Sequence, residues 1–416
     1  MAQLSDDCFA FGGPLMPVDD TVALIASRLR AVEECETVSL TSADGRVLAS
    51  DIVAPLPLPP FTNSAVDGYA VRGADLPQTG EKAFVVSNRI QAGMAPGMPI
   101  MPGHAVRIFT GAPMPEGADT VFMQEDVRTD DAGGVILPPG LKRGANVRPA
   151  GEDIALGATV LRAGQRLRPQ DVGLVAALGL TEIEVRRRIR VAIFSTGNEI
   201  VAPGSPRGPA QLFDSNRFML MAMLTRLDCL VTDLGILGDD RAAIADALRT
   251  AASTHDLILT SGGVSTGEAD HVKASVESVG TLVFWRVAIK PGRPVAMGVI
   301  QGTPFIGLPG NPVASFVTFA HIARPAILAL AGARQQMAVA TPVRAAFSYR
   351  KKAGRREYVR VNLRKADDDA HEAVKFPREG AGLLSSLVET DGLVELHEET
   401  IAVEPGQIVA FVAYSG

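Results

Sequence analysis

The sequence is poor in cysteine. Its 416 residues include three, Cys8, Cys35 and Cys229, which are far apart and odd in number. This usage does not suit a disulfide framework and is typical of a reducing compartment. The six histidines are scattered and there is no Cys-x-x-Cys pair, so no zinc-site spacing is present. We therefore expect a cytoplasmic protein without a structural zinc site.

The chain also lacks a surplus of basic charge and a long uninterrupted apolar run. It has 40 basic and 46 acidic residues, a net charge of −6, so we expect no nucleic-acid partner. No apolar run approaches ~18 residues, so we expect no membrane segment. The first residues, MAQLSDDCFAF, carry acids where a secretion signal needs basic residues.

What is present is the composition of a globular protein of several domains, with 47% apolar and 21% charged residues. A helix is predicted over Val18–Val32, capped by Asp19 or Asp20. A proline-rich segment at 55–60 marks a boundary. The next hundred residues are rich in glycine and proline and contain short alternating runs, a pattern that predicts a compact β domain.

Strands and helices alternate from Arg190 onward, which predicts a mostly parallel sheet. Before this region we expect a strand and short helix over Val38–Ser50 and a helix over Pro169–Leu180. A helix following Asp214 or Ser215 is expected to bury Phe218, Met221, Leu224 and Leu227. Residues 337–416 are again β-like, with a hairpin around Ala353-Gly354 and a last strand over Gln407–Tyr414. The predicted sheet strands are Arg190–Ser195, Leu230–Ile236, Asp256–Thr260, Thr281–Ile289, Pro294–Val299 and Phe305–Gly307.

One strand runs into a Gly/Ser/Thr loop, Ser261–Gly267, that precedes a helical pattern. Glycines turn backbone N–H groups toward one point, and such a loop before a helix suits phosphate. Acidic residues beside it would repel phosphate unless a cation such as Mg²⁺ lay between them. Glu199, Asp239, Asp270 and Asn311 also follow strand ends, so they should share one rim. The alternative is that the glycines only form a turn and the acids cap a helix.

A basic cluster near the C-terminus allows two interpretations. It comprises Lys351, Lys352, Arg355, Arg356 and Arg360. It is either a solvated face or an anion site.

Taken together and in order, nine motifs resemble the molybdenum insertases of the MoeA family, to which the C-terminal domain of gephyrin belongs. The motifs are PPFTNSAVDGYAV (59–71), IFTGAPMPEGAD (108–119), RPAGEDI (148–154), FSTGNEI (194–200), DSNRFML (214–220), LGILGDD (234–240), SGGVSTGEADHVK (261–273), FWRVAIKPGRP (284–294) and GLPGNPV (307–313).

The resemblance implies an α/β multidomain fold, built as an elongated homodimer. Its parts would be a small α+β linker domain (29–54 and 153–186), an inserted β domain (55–152), an α/β molybdopterin-binding domain (1–28 and 187–336) and a C-terminal β domain (337–416). It implies insertion of molybdate into adenylylated molybdopterin, with Mg²⁺-dependent cleavage of the pyrophosphate and release of AMP. Molybdopterin adenylyltransferase and molybdoenzyme-maturation proteins are the implied partners.

The resemblance also assigns site residues. Those implied for catalysis are Asp67, Thr110, Glu199, Asp239 and Asp270, of which the last three would hold Mg²⁺. Those implied for substrate binding are Asp153, Ser261, Gly262, Gly263, Ser265, Gly267, Pro309 and Pro312. Molybdate, a dianion, needs fixed donors, for which Lys290, Arg293, Arg355 and Ser386 are the candidates.

Two alternatives remain open from the sequence. A noncatalytic, gephyrin-like binding or scaffold protein would not require the retained acids Asp67, Glu199, Asp239 and Asp270. A pterin-nucleotide hydrolase would use the sheet domain alone and leave the motifs around Asp67 and Thr110 unexplained. A dinucleotide dehydrogenase is poorly supported, because neither Gly-x-Gly-x-x-Gly nor a P-loop is present in the strand-end loops.

Overall fold

The computed structural model describes residues 15–238, 240–263, 271–292, 294–334 and 339–414. The first helix, α1 (Val18–Arg28), confirms the N-terminal prediction and ends four residues early. The predicted cap is wrong, because Pro17 precedes the helix and no side chain caps it. Asp19 instead pairs with Arg356 of the C-terminal region through two hydrogen bonds of 2.8 and 2.7 Å.

Residues 35–186 form a small α+β unit that is interrupted by a β region. The small unit pairs β1 with β12 and β2 with β11, around a core that includes Leu48 and Val185. The interrupting region is the predicted β domain, with a six-stranded sheet in the order β7-β4-β6-β5-β9-β8. The elements are β1 (Cys35–Ser39), β2 (Ile52–Val53), β3 (Asn63–Ser64), β4 (Gly68–Val71), β5 (Lys82–Ile90), β6 (His104–Ile108), β7 (Thr120–Met123), β8 (Arg128–Thr129), β9 (Val135–Leu137), β10 (Val147–Arg148), β11 (Thr159–Leu161), α2 (Pro169–Ala177) and β12 (Glu182–Arg186).

A second six-stranded sheet, in the order β16-β13-β17-β21-β20-β18, confirms the mostly parallel prediction. The first four of these strands are parallel neighbours, and β20 runs opposite to both of its neighbours. The elements are β13 (Arg190–Thr196), β14 (Ile200–Val201), β15 (Leu212–Phe213), α3 (Asn216–Arg226), β16 (Leu230–Leu237), α4 (Arg241–Thr254), β17 (Leu257–Ser261), α5 (His271–Val279), β18 (Gly280–Arg286), β19 (Ile289–Lys290), β20 (Pro294–Ile300), β21 (Thr303–Leu308), α6 (Pro312–Thr318) and α7 (Arg324–Leu330).

The central strands are apolar because both faces of the sheet are covered. One face packs against α1, α3, α6 and α7, and the other against α4 and α5. The predicted face of α3 is wrong only at Phe218, which is 47% exposed. Leu224 is buried as predicted, and Met221 and Leu227 are partly buried against the same core. Asn216 and Leu220 are buried as well. The polar Asn216 is buried because its amide is bound at the end of the sheet, as described below.

A five-residue π-helical turn joins α6 to α7 and makes Pro312–Leu330 one helical stretch. Among the described residues this stretch is long and apolar enough to cross a membrane, and 61% of its most apolar window is buried inside the protein. Core helices pass the same test. Polar residues such as Thr318 and Arg324 interrupt the apolar sequence, so Pro312–Leu330 does not read as an uninterrupted apolar run. The expected absence of a membrane segment stays a prediction.

The C-terminal strands close into a barrel, because β24 pairs with both β25 and β26. The expected hairpin around Ala353-Gly354 is wrong: β23 pairs with β27, and β24 pairs elsewhere. The short strand β19 leaves the sheet domain and joins the barrel beside β24. The elements are β22 (Thr341–Ala345), β23 (Tyr349–Arg350), β24 (Arg356–Lys365), β25 (His371–Lys375), α8 (Ser385–Val388), β26 (Gly392–Leu396), β27 (Ala402–Val403) and β28 (Ile408–Ala413).

Candidate active site

The carboxyl ends of the parallel strands form one rim, as the sequence predicted. Ser261 at the end of β17 lies opposite Ser195 of β13 and Leu308 of β21. The Gly262 N–H donates to the Leu308 carbonyl at 3.0 Å, which brings the predicted loop beside the turn that contains Pro309. Pro312 lies one turn further on, at the start of α6.

Asn216, at the start of α3, ties this rim together. Its Nδ2 donates to the Ser261 Oγ at 2.9 Å and to the Gly310 carbonyl at 2.7 Å. Its Oδ1 is buried and has no partner among the described residues. Sequence reasoning did not assign this residue to the site, although a polar residue opening an apolar helix was a signal.

Glycine is required where the chain leaves the rim. Gly263 has φ +65°, and a Cβ there would lie 2.5 Å from both the Thr196 Oγ1 and the Val272 Cγ2. Gly197 has φ +129°, and a Cβ there would lie 2.5 Å from the carboxylate of Glu199. The exposed Glu199 therefore folds back over the turn that follows β13, which places its carboxylate at the rim.

Five predicted site residues lie outside the described residues: Asp239, Ser265, Gly267, Asp270 and Arg293. Within the described ranges no group of three His, Cys, Asp or Glu side chains is arranged to hold a metal. Two of the three predicted Mg²⁺ ligands are among the five, so the magnesium site stays a prediction.

A second group of predicted residues meets in the β domain. The Oδ1 of Asp67 accepts hydrogen bonds from the Thr110 N–H at 2.8 Å and the Thr110 hydroxyl at 2.7 Å. These donors hold the pKa of Asp67 below its usual value. Both hydrogen bonds join residues of the β domain. The predicted Asp153 is exposed, and its backbone N–H donates to the Leu58 carbonyl.

A cavity of about 390 Å³ lies where the sheet domain meets the barrel, and Lys290 and Arg355 line it. Strand β19 adds to β24 in register, with Lys290 opposite Glu357. The cavity walls hold five cationic side chains and two carboxylates, a surplus of three positive charges. The charged lining residues are Lys290, Arg355, Glu357, Arg360, Lys375, Arg378 and Glu379.

Lys290 is held by a buried partner. Its Nζ donates to the Glu357 Oε2 at 2.9 Å and to the Tyr349 hydroxyl at 3.2 Å. Burial lowers the pKa of Lys290, but Glu357 and Tyr349 together outweigh burial, and the pKa is raised overall. The ammonium therefore stays charged at neutral pH.

Ser386 contributes to the cavity through another residue. It is fully buried, its Oγ accepts from Arg360 at 2.6 Å, and its hydroxyl donates to the Leu383 carbonyl. Arg360 also donates to the Gly380 carbonyl at 3.0 Å. These partners of Arg360 are neutral, so its charge is available to an anion in the cavity.

The basic cluster is not a single solvated face, and an anion-binding role for it stays a prediction. Arg355 and Arg360 line the cavity. Arg356 is buried among Asp19, Glu395 and Glu398, and Lys351 donates to backbone carbonyls, so both have structural roles. Sequence reasoning did not single out Glu357, because in the sequence it is one acid among basic residues and only the fold buries it.

Comparison with known proteins identifies the family. Three family models match the chain in order: "MoeA N-terminal region (domain I and II)" over 16–179, "Probable molybdopterin binding domain" over 192–329 and "MoeA C-terminal region (domain IV)" over 342–414. The molybdopterin molybdenumtransferase of Haemophilus influenzae is 37% identical, with 96% of this chain and 99% of the relative covered. The chain belongs to the MoeA family.

Other MoeA relatives agree with this assignment, and their names give the enzyme class, a transferase, that the implied insertion of molybdate requires. Molybdopterin molybdenumtransferase 2 of Mycobacterium tuberculosis is 37% identical, with 94% of this chain and 97% of the relative covered. A crystal structure of the molybdopterin biosynthesis moeA protein from Pyrococcus horikoshii has a TM-score of 0.81 and 28% identity. It covers 96% of this chain and 100% of its own. The predicted multidomain α/β fold is confirmed, and the domain boundaries and homodimer stay predictions.

Proposed function

We propose that this MoeA-family chain inserts molybdate into adenylylated molybdopterin, cleaving the pyrophosphate linkage and releasing AMP. The observation that carries the proposal is the cavity between the sheet domain and the barrel. Its surplus of positive charge suits a dianion, and it lies at the end of the sheet domain that the family model describes as molybdopterin-binding. The names of the curated relatives, molybdopterin molybdenumtransferase, support molybdenum as the transferred element.

Molybdate binds in the cavity by charge and directed hydrogen bonds. Lys290, Arg355 and Arg360 are the donors that face it, and Arg293 follows Lys290 by three residues in the sequence. Ser386 acts by fixing the guanidinium of Arg360. A guanidinium donates in one plane along fixed directions, so holding it reduces the entropy lost when the oxyanion binds.

The rim binds the nucleotide end of the substrate. Ser261, Gly262 and Gly263 present backbone at the end of β17, where open sheets bind ligands. Carboxylates are the donors that Mg²⁺ prefers, and Glu199, Asp239 and Asp270 would hold it there. When bound, the ion would offset negative charge on the pyrophosphate. Ser265, Gly267, Pro309, Pro312 and Asp153 complete the proposed substrate-binding set.

Asp67 and Thr110 act as a unit. The depressed pKa of Asp67 keeps its carboxylate charged at neutral pH, and the Thr110 hydroxyl is oriented toward it. In the proposed reaction the pair orients the attacking oxygen. The pair lies in the β domain, so we propose a homodimer in which this domain faces the sheet of the second subunit.

The free cysteines support a reducing compartment. Cys35 is exposed and Cys229 is buried, and neither forms a disulfide within the part of the chain that the structure describes. We propose that the protein acts in the cytoplasm, between molybdopterin adenylyltransferase and the proteins that mature molybdoenzymes.

An insertion assay tests the proposed function. Purified protein receives adenylylated molybdopterin, Mg²⁺ and molybdate, and AMP and active cofactor are measured together. We expect both products from the wild type, neither from Asp270→Asn or Glu199→Gln, and both from Glu184→Gln, which alters an exposed acid on β12. AMP without active cofactor would identify a hydrolase. Tight substrate binding by the folded protein without either product would identify a binding protein.

A further inference from the structure

Glu357 is the feature of the cationic cavity that its proposed ligand does not explain. Its side chain is only 2% exposed, although the residue lines the cavity wall. A carboxylate lowers the affinity of a nearby site for anions, and burying it costs desolvation free energy. Its presence there calls for a role other than contact with the oxyanion.

Two polar groups meet around one oxygen of this carboxylate. The Glu357 Oε2 accepts from the Tyr349 hydroxyl at 2.8 Å and from the Lys290 ammonium at 2.9 Å. The Lys290 Nζ also donates to the Tyr349 oxygen at 3.2 Å. Because the Tyr349 hydroxyl donates its hydrogen bond to Glu357, its oxygen can accept a hydrogen bond from Lys290.

The number of N–H groups then fixes the direction of the ammonium. A lysine ammonium has three N–H donors, and two are used by Glu357 and Tyr349. Within the described ranges the third has no partner, and Lys290 lines the cavity. Register adds to this constraint, since β19 lies beside β24 with Lys290 opposite Glu357. Arg355 approaches the other carboxylate oxygen at 3.8 Å.

We propose that Glu357 is a positioning residue that aims the free N–H of Lys290 into the cavity and thereby sets the affinity for a tetrahedral oxyanion. This inference rests on the proposed function, because molybdate is taken as the ligand. Glu357 does not contact the anion; it acts through Lys290 and, more weakly, through Arg355.

The second carboxylate of the cavity is a matched control. Glu379 lines the same cavity and carries the same charge as Glu357. It pairs with Lys375 at 2.5 Å, but its side chain is 63% exposed. If the two acids mattered only through their charge, Glu357→Gln and Glu379→Gln would both strengthen anion binding. A positioning role predicts opposite signs, with weaker binding in Glu357→Gln only.

Calorimetric titration with sodium molybdate measures the sign. We expect Glu357→Gln to bind molybdate about tenfold or more weakly than the wild type, since the neutral amide weakens the charge-assisted hydrogen bond that holds Lys290 in place. Glu357→Asp should recover part of the affinity, and Tyr349→Phe should fall between the wild type and Glu357→Gln. Glu379→Gln should bind as tightly as the wild type or more tightly.

Lysine-selective NMR measures the pKa of Lys290, which a general destabilisation of the fold would not change in this specific way. The pKa of Lys290 should fall in Glu357→Gln and stay raised in Glu379→Gln, because Glu357 is hydrogen-bonded to Lys290 whereas Glu379 is hydrogen-bonded to Lys375. Folding of each variant is checked by thermal unfolding.

The outcomes separate this inference from the proposed function. Wild-type binding with unchanged or tighter binding by Glu357→Gln would overturn the positioning role and leave the molybdate site standing. No binding by the wild type would refute the molybdate site, and the inference with it. If Glu357→Gln does not fold, Tyr349→Phe decides: weaker binding supports the role, and unchanged binding overturns it.

Discussion

Arg360 is the cation whose removal the structure allows to be predicted in most detail. It lines the cavity, its hydrogen-bond partners Ser386 and Gly380 are neutral, and burial lowers its pKa. Replacing it with methionine keeps much of the apolar stem and removes the guanidinium. The hydroxyl of Ser386 keeps the Leu383 carbonyl as a partner, so the cost to folding should be small.

The effect on binding follows from the hydrogen bond that the guanidinium would donate to the anion. A hydrogen bond to a charged group contributes about 1.5–3 kcal/mol net. At 1.4 kcal/mol for each factor of ten, Arg360→Met should weaken molybdate binding by about 10- to 150-fold. The cavity would retain Lys290 and Arg355, so some affinity should remain.

Titration calorimetry with molybdate measures this change, and Arg364→Met is the control. Arg364 is on the same strand, but it is 62% exposed and pairs with Glu372 outside the cavity. Removing it should leave affinity within about twofold, as expected for a distant, screened charge. If Arg360→Met also stays within about twofold of the wild type while folded, the assignment of molybdate to this cavity is refuted.

Three further predictions concern the second site and the stability of the fold. Asp67→Asn keeps an acceptor for both donors of Thr110 but loses the charge, so insertion activity should fall while the melting temperature is unchanged. Asp256→Asn removes the charge from a buried pair with Arg187 (2.6 and 2.8 Å), which keeps Glu34 as a partner, so it should lower the free energy of unfolding by about 1.5–3 kcal/mol in chemical denaturation. Burial lowers the pKa of His321 to about 3. Between pH 6.5 and pH 3 this histidine is protonated in the unfolded chain but not in the folded chain, so the free energy of unfolding should fall as the pH drops through that range. His321→Phe should reduce that loss, measured as unfolding free energies at about pH 7 and pH 4.5; an equal loss in the variant would contradict the assignment.

The sequence by itself predicted the sheet and its rim, because both depend on local signals. An apolar run of strand length that ends in glycines predicts a buried strand and a turn, and β13 and β17 follow that pattern. The parallel order then brings the strand ends together whatever the details of packing. Ordered motifs along the whole chain were specific enough to predict the family.

Tertiary structure decided how distant segments combine. Lys290 and Glu357 are 67 residues apart, and they meet because β19 leaves the sheet domain and joins the barrel beside β24. Asn216 is on the buried face of α3 because its amide donates hydrogen bonds to Ser261 and to the Gly310 carbonyl at the rim. Such pairs are set by the relative placement of whole elements, which no spacing along one strand or helix encodes. The cationic cavity was visible in sequence only as separate charges, because its walls come from two domains.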